Sequence, residues 1–272
     1  MKTLVTFVIP VRHQANSKDW IKLKSNLAQT ISSIASQTEL HWRAVIVANE
    51  GADLPSVPNG FEIVRVNFEP NKMYEQQGND KEVFYDAVRL DKGRRILKGM
   101  LQVRDTAFYM VVDDDDFISN NLVSYVAQNK NANGWKISDG YVWGDGGKLL
   151  FIHHDFANFC GTSLIIRSDL YSLPANFEGA SDEYIKTMLG SHVKISKILA
   201  DKGTPLANLP FLGAVYRIGH AGAHSKSPSL IKKYYFNRYL MIRPLKLLRN
   251  LLNLRYVNQA FKQEYFGVKS KV

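Results

Sequence analysis

Cysteine is nearly absent, with Cys160 the sole example among 272 residues. One thiol can build neither an internal disulfide framework nor a cysteine-rich zinc module, and such usage suits a reducing compartment. With no catalytic partner legible beside it, Cys160 is expected to be a packing residue. Long apolar runs are lacking too. No uninterrupted stretch approaches the roughly 20 residues that cross a bilayer. The apolar run over residues 3–9 stops at Pro10 and Arg12, too early for the core of a signal peptide. Acidic residues are scarce at the carboxyl end: residues 228–272 hold ten Lys or Arg and only Glu264 against them. The preceding residues carry 25 basic and 24 acidic side chains, so nearly all of the net charge of +10 belongs to that tail.

What is present suffices for a full α/β core, since 45% of the residues are hydrophobic and 11% aromatic. Residues 3–9 read as a buried strand followed by the polar loop Pro10-Val11-Arg12-His13-Gln14. Trp20, Leu23, Leu27, Ile31 and Ile34 then recur at helical spacing. A second strand at 44–48 ends on Asn49-Glu50-Gly51, and a third lies near 62–68. Strand, helix, strand of this length predicts a parallel crossover, with loops at the carboxyl ends of strands on one rim. A long helix is expected over 82–103, weakened at Gly93 and Gly99. After it, Ala107-Phe108-Tyr109-Met110-Val111-Val112 has the signature of a buried strand. The Gly-, Trp- and Tyr-rich residues 131–159 suggest short antiparallel strands and turns. Residues 161–167 read as a further strand, and 182–199 as one helix containing Gly190. The whole predicts a single domain over 1–227 and a basic amphipathic helical tail over 228–272.

Four consecutive aspartates, Asp113-Asp114-Asp115-Asp116, follow the 107–112 strand directly. Carboxylates so crowded raise one another's pKa unless a cation neutralises them. As a solvated turn, the run would merely cap a helix beginning near Asn120. A buried strand ahead of it instead sets the acids on the rim where ligands of open α/β sheets sit. Hard oxygen ligands with an open coordination sphere suit Mg²⁺ or Mn²⁺ bridging to phosphate, where the ion would stabilise a departing nucleoside diphosphate.

From about Thr3 to His224 the chain resembles the GT-A-fold glycosyltransferases of the large family 2 type. Phe7-Val8-Ile9-Pro10-Val11-Arg12 is similar to that family's opening strand and nucleotide loop, which makes Pro10, Val11 and Arg12 donor contacts. Ile46-Val47-Ala48-Asn49-Glu50-Gly51 matches the second-strand motif. Where the family usually carries two aspartates this sequence has Asn49-Glu50, and Glu50 is the expected contact to base or ribose. Asp91-Lys92-Gly93-Arg94-Arg95 stands where the family has a basic segment, so that Lys92 and Arg95, with Arg12, would balance pyrophosphate charge. Val112-Asp113-Asp114-Asp115-Asp116-Phe117 resembles the Asp-x-Asp-Asp motif. Carried over, Asp113 and Asp115 would hold the cation, Asp115 most directly, with Asp113 and Asp114 beside the donor. The fold implied is a GT-A-type nucleotide-diphospho-sugar transferase, a mixed and mostly parallel sheet flanked by helices.

The same resemblance places an acidic pair after a Gly-containing strand ending in Arg, here Gly161 to Arg167 followed by Ser181-Asp182-Glu183-Tyr184. Asp182 or Glu183 would take the acceptor hydroxyl's proton in an inverting transfer; as plain helix amino-terminal residues, both would be favoured by the helix dipole. His220 and His224, within Tyr216-Arg217-Ile218-Gly219-His220-Ala221-Gly222-Ala223-His224-Ser225, lie where some GT-A enzymes supply a third metal ligand or a diphosphate contact, and either could serve. His153, His154 and His192 read as surface or packing residues.

In the tail, Lys232, Lys233, Arg238, Arg243, Lys246, Arg249 and Arg255 alternate with aromatic and aliphatic residues. Such a segment can lie on an anionic bilayer, each basic group near the surface adding about 1 kcal/mol, and Pro244 would divide it into two helices. A solvated helical face competes with that reading. Nucleic acid is not expected, because no recognition motif accompanies the charge. The sequence therefore points to an enzyme, a hexosyltransferase that moves a sugar from a nucleoside-diphosphate donor, UDP-linked by expectation, to a glycan or lipid-linked acceptor of surface polysaccharide. It would work in the cytoplasm at the inner face of the membrane. Two rivals are a sugar nucleotidyltransferase, which would normally carry a Gly-rich phosphate loop where 10–15 has no glycine, and a non-catalytic membrane- or glycan-binding module.

Overall fold

A computed structural model describes residues 3–74, 81–219, 248 and 250–268. The apolar run Thr3–Pro10 forms β1, an interior strand of a seven-stranded sheet. Its neighbours are β2 (Trp42–Asn49) and β4 (Thr106–Val111), both parallel to it. Beyond β2 lies β3 (Phe61–Val66), again parallel. Beyond β4 come the antiparallel β9 (Leu164–Arg167), then β6 (Gly134–Lys136) and the edge strand β10 (Ala207–Asn208). Central strands covered on both faces need no polar alternation, and Val5 to Ile9 are all buried.

Helices cover both faces. The predicted stripe of α1 (Trp20–Ala35) buries Leu23, Leu27, Ile31 and Ile34 against Phe7, Ile9 and Ile46, joined by α3 (Leu122–Gln128). Each such side chain contributes about 1.5–3 kcal/mol on burial. Asp19 caps α1 by accepting from the Lys22 N–H at 2.8 Å. On the other face α2 (Lys81–Gln102) sets Ile96, Leu97 and Met100 on Val8, Val45 and Val47. It runs unbroken through Gly93 and Gly99, whose hydrogens face packed neighbours instead of water.

Three sequence expectations change. The helix expected over 182–199 is broken: a short α5 (Asp182–Tyr184) runs into a π-helical turn at Ile185–Leu189, and α6 (His192–Asp201) starts anew with Ser191 as its cap. Between the two pieces only glycine fits, since a Cβ on Gly190 would lie 2.2 Å from the carbonyl oxygen of Arg89 in α2. The strand expected from Gly161 begins only at Leu164, leaving Gly161 to Ser163 as a loop. The carboxyl-terminal end, read as part of a helical appendage, closes onto the body of the protein.

That closure uses a second, five-stranded sheet. It comprises β5 (Phe117–Ile118), β11 (Ala214–Ile218), β7 (Asp139–Gly144), β8 (Leu149–His154) and β12 (Leu254–Tyr256). β12 pairs antiparallel with β8. The following α7 (Gln259–Phe266) buries Phe261 and Tyr265 among Phe117, Trp143, Leu150 and Val215. Aromatic side chains bury large areas and take up preferred ring geometries, and Phe266 meets Phe117 at 4.5 Å between ring centroids. The remaining short helix, α4 (Phe156–Phe159), precedes Cys160. No described helix is long and apolar enough to cross a membrane.

Candidate functional site

From β1 the chain moves to β2 and β3 on one side and then crosses to β4 on the other, so strand order reverses between β1 and β4. Ligands of open α/β sheets bind in the crevice that such a reversal opens at the carboxyl ends of the strands. Arg12 leaves β1 at this point and Asp113 follows β4. The Val112 N–H still bonds to the Val8 carbonyl at 3.0 Å, holding the two exits together.

Asp113 faces Lys92 of α2, with Nζ 2.5 Å from Oδ1. Its own N–H donates to the Thr162 hydroxyl at 2.9 Å. Both side chains of the ion pair are about a quarter exposed, 26% for Lys92 and 27% for Asp113. Burial pulls the Lys92 pKa down, but Asp113 outweighs it and the net shift is upward. Gly161 makes the arrangement possible: a Cβ there would lie 2.7 Å from Asp113 Oδ2 and 2.9 Å from Lys92 Nζ. Asp114 lies across the crevice from Arg12, 4.0 Å from its guanidinium.

Asp116 turns the other way, into the core, and is fully buried. It accepts from Cys160 Sγ at 3.3 Å and from the Arg217 N–H at 3.2 Å. Burial, then the charges of Asp115 and Asp113, pushes its pKa well above the carboxylate range. Cys160 was expected as plain packing; it is indeed buried, and its thiol is a hydrogen-bond donor, held protonated by burial and by Asp116.

Three of the donor contacts expected from sequence, Pro10, Val11 and Arg95, are buried in the folded chain. Pro10 and Val11 have buried side chains, and the Val11 N–H is engaged by the Val47 carbonyl at 2.9 Å, so neither offers a side chain to a ligand. Arg95 is only 1% exposed and is bound to Asp91 and, at 2.7 Å, to Asn49 Oδ1, which neutralises it inside the protein. Glu50 is exposed on the turn after β2, its carbonyl accepting from Gln14 Nε2 at 3.4 Å. Asp182 and Glu183 are exposed at the start of α5, and Glu183 lies 3.9 Å from Lys186. No described hydrogen bond or ion pair joins either of them to the aspartate loop. His220 and His224 lie outside the described residues.

A divalent cation was expected on Asp113 and Asp115, with His220 or His224, both outside the described residues, as a further ligand. The described residues by themselves do not fit one. Among them no three His, Cys, Asp or Glu side chains converge. Asp113 already holds an ammonium, and Asp116 is enclosed by Cys160 and Arg217.

The sequence reading missed several residues. Arg217 is fully buried, bonded to Asn26 and Gln29, and stacked over Phe117 and Trp143; a lone Arg in an apolar strand was the available signal. His192, read as packing or surface, lines a cavity of about 30 Å³ with Lys92, Gly161 and Tyr171. Burial, then Lys92, lowers its pKa. His13 accepts from the Ala15 N–H at 3.0 Å, and burial followed by the charge of Arg95 lowers its pKa also. Neither histidine carries a local sequence pattern. His153 stacks on Phe159 and His154 bonds to Asp139, in keeping with surface and packing roles.

No protein-family model matches the chain, and no curated protein is similar to it. Solved structures do resemble it. TarS residues 1–349 from S. aureus is 12% identical with a TM-score of 0.46, the match covering 79% of this chain and 60% of that one. The chain thus spans less than two thirds of TarS 1–349. Rv0371C of Mycobacterium tuberculosis H37Rv, in complex with manganese, is 10% identical with a TM-score of 0.38, over 79% of this chain and 92% of its own. A Desulfovibrio desulfuricans G20 protein, provisionally named a nucleotide-diphospho-sugar transferase, is 13% identical with a TM-score of 0.38, over 92% and 99%. These are likenesses of overall build; what the crevice does is read from its residues.

Proposed function

We propose that the chain is a glycosyltransferase using a nucleoside-diphosphate sugar, UDP-linked by preference, and that the crevice between β1 and β4 receives the donor. The observation that carries this reading is the Lys92–Asp113 pair, about a quarter exposed at the strand-order reversal, with Arg12 facing Asp114 on the opposite lip. Cationic groups there can hold a diphosphate, while carboxylates beside them can accept from ribose or sugar hydroxyls.

In the reaction an acceptor hydroxyl oxygen attacks the anomeric carbon as its bond to the diphosphate oxygen breaks. The electron pair leaves with the diphosphate, and Lys92 and Arg12 offset the charge that develops. The acceptor's proton passes to a carboxylate, for which Asp182 or Glu183 is proposed, giving inversion. The acceptor is proposed to be a glycan or a lipid-linked sugar of surface polysaccharide. The excess of basic residues over 228–272, with Leu248, Leu251, Leu252 and Tyr256 exposed beside it, supports docking at the anionic inner face of the membrane.

Product analysis with a panel of nucleotide sugars tests this. Release of nucleoside diphosphate is expected. Release of pyrophosphate would instead establish a nucleotidyltransferase, and the absence of turnover and of nucleotide binding would leave a non-catalytic module.

A further inference from the structure

Asp113 and Asp115 of the aspartate run were expected to hold a metal ion. In the folded chain three of the four face protein donors: Asp113 faces the Lys92 ammonium, Asp114 the Arg12 guanidinium, and Asp116 the Cys160 thiol and the Arg217 N–H. The Lys92 position is built, not incidental. Its helix packs against the π-helical turn where Gly93 allows backbone contact with Ile185, and the loop at Gly161 lies against both members of the ion pair. An ammonium carries three donors. One is committed to Asp113 at 2.5 Å, and the Lys92 side chain is 26% exposed.

Charge balance points the same way. A diphosphate entering beside Asp113, Asp114 and Asp115 is repelled unless positive charge lies between them. A divalent ion would require near-octahedral oxygen ligands, yet Asp113 is already bridged to a cation. A second cation on the same carboxylate would meet the repulsion of Lys92 at short range.

We infer that Lys92 stands in the place of the divalent ion, and that with Arg12 it holds the donor's diphosphate so that nucleoside diphosphate binds without metal. This deepens the proposed function and rests on it. The ammonium then takes the first part of a metal's role, binding and charge neutralisation, from a fixed position on α2.

Calorimetric titration of the full chain with UDP and with GDP, in EDTA and in Mn²⁺, tests the inference. Binding in EDTA is expected to be within about threefold of that in Mn²⁺. Lys92→Met should weaken binding in EDTA about tenfold or more, the weight of a hydrogen bond to a charged group, with Lys92→Arg partly restoring it. Circular dichroism and thermal melting check that the variants fold, and the comparison on the unaltered chain needs no variant. Binding that requires Mn²⁺, or a Lys92→Met chain that binds as well as the original in EDTA, overturns the inference while the nucleotide-sugar reading stands. Failure to bind either nucleotide under either condition overturns both.

Discussion

The guanidinium of Arg217 lies 4.5 Å over the ring centroid of Phe117, the residue that directly follows the four aspartates. The same side chain bonds to Asn26 and Gln29 of α1 and lies 3.7 Å from Asp145. One buried cation thus ties the aspartate loop, the first helix and the second sheet together. Its burial pulls its pKa down while Asp145 and the aspartates resist.

Arg217→Met should therefore cost about 1–3 kcal/mol, because the buried Asn26 loses its partner while Asp145 keeps Lys22 at 2.6 Å. Urea unfolding measures it. A loss under about 1 kcal/mol would show that the cation adds little to the joint.

Gly190 separates the π-helical turn from α6 at the point of contact with the Arg89 carbonyl. Gly190→Ala should destabilise by about 1–3 kcal/mol through overpacking, since a backbone atom has no rotamer to move aside. An unchanged denaturation midpoint would mean that α2 can shift away freely.

Phe261 and Tyr265 fill the space over Phe117 and Trp143, while Ser119 Oγ donates to Glu264 at 2.7 Å. Phe261→Ala should cost about 3–5 kcal/mol. Were α7 a detached appendage, the substitution would leave thermal stability untouched.

Tyr109 is buried under the end of α2, donating to the Val103 carbonyl at 2.8 Å, and burial pushes its pKa up to about 12. A folded pKa raised above the unfolded value of about 10 means that the folded state holds the proton longer. The stability this confers is complete below about pH 10 and is lost as pH rises to about 12. Melting temperature should fall over that window, and less steeply in Tyr109→Phe. Equal slopes in both chains would assign the alkaline transition elsewhere, with Tyr184, also raised to about 12 by burial, the next candidate.

Asp182 and Glu183 are distinguishable by exchange to their amides. The carboxylate that takes the acceptor proton should lower kcat about 10²- to 10⁴-fold when made Asn or Gln, with donor binding unchanged. Normal turnover in both variants would return the pair to a role as helix-start residues.

The sequence by itself determined the strands and helices around the crevice. Apolar runs and a period of 3.6 are properties of near neighbours, so β1, α1, β2 and α2 could be read from residues a few positions apart. The placement of four acids at a strand end was legible for the same reason. Only the tertiary structure decided what each acid faces. Asp113 meets Lys92 from 21 residues away and Thr162 from 49, and Asp116 meets Arg217 from 101. Such partners are chosen by the path of the chain, which no local pattern encodes. Arg95 illustrates the difference: in sequence it was one of several basic residues near a phosphate site, and burial against Asp91 and Asn49 gave it a structural partner instead. The closure of α7 was likewise hidden, because Phe261, Tyr265 and Phe266 suit a bilayer as well as an aromatic core until Phe117 and Trp143 are brought beneath them.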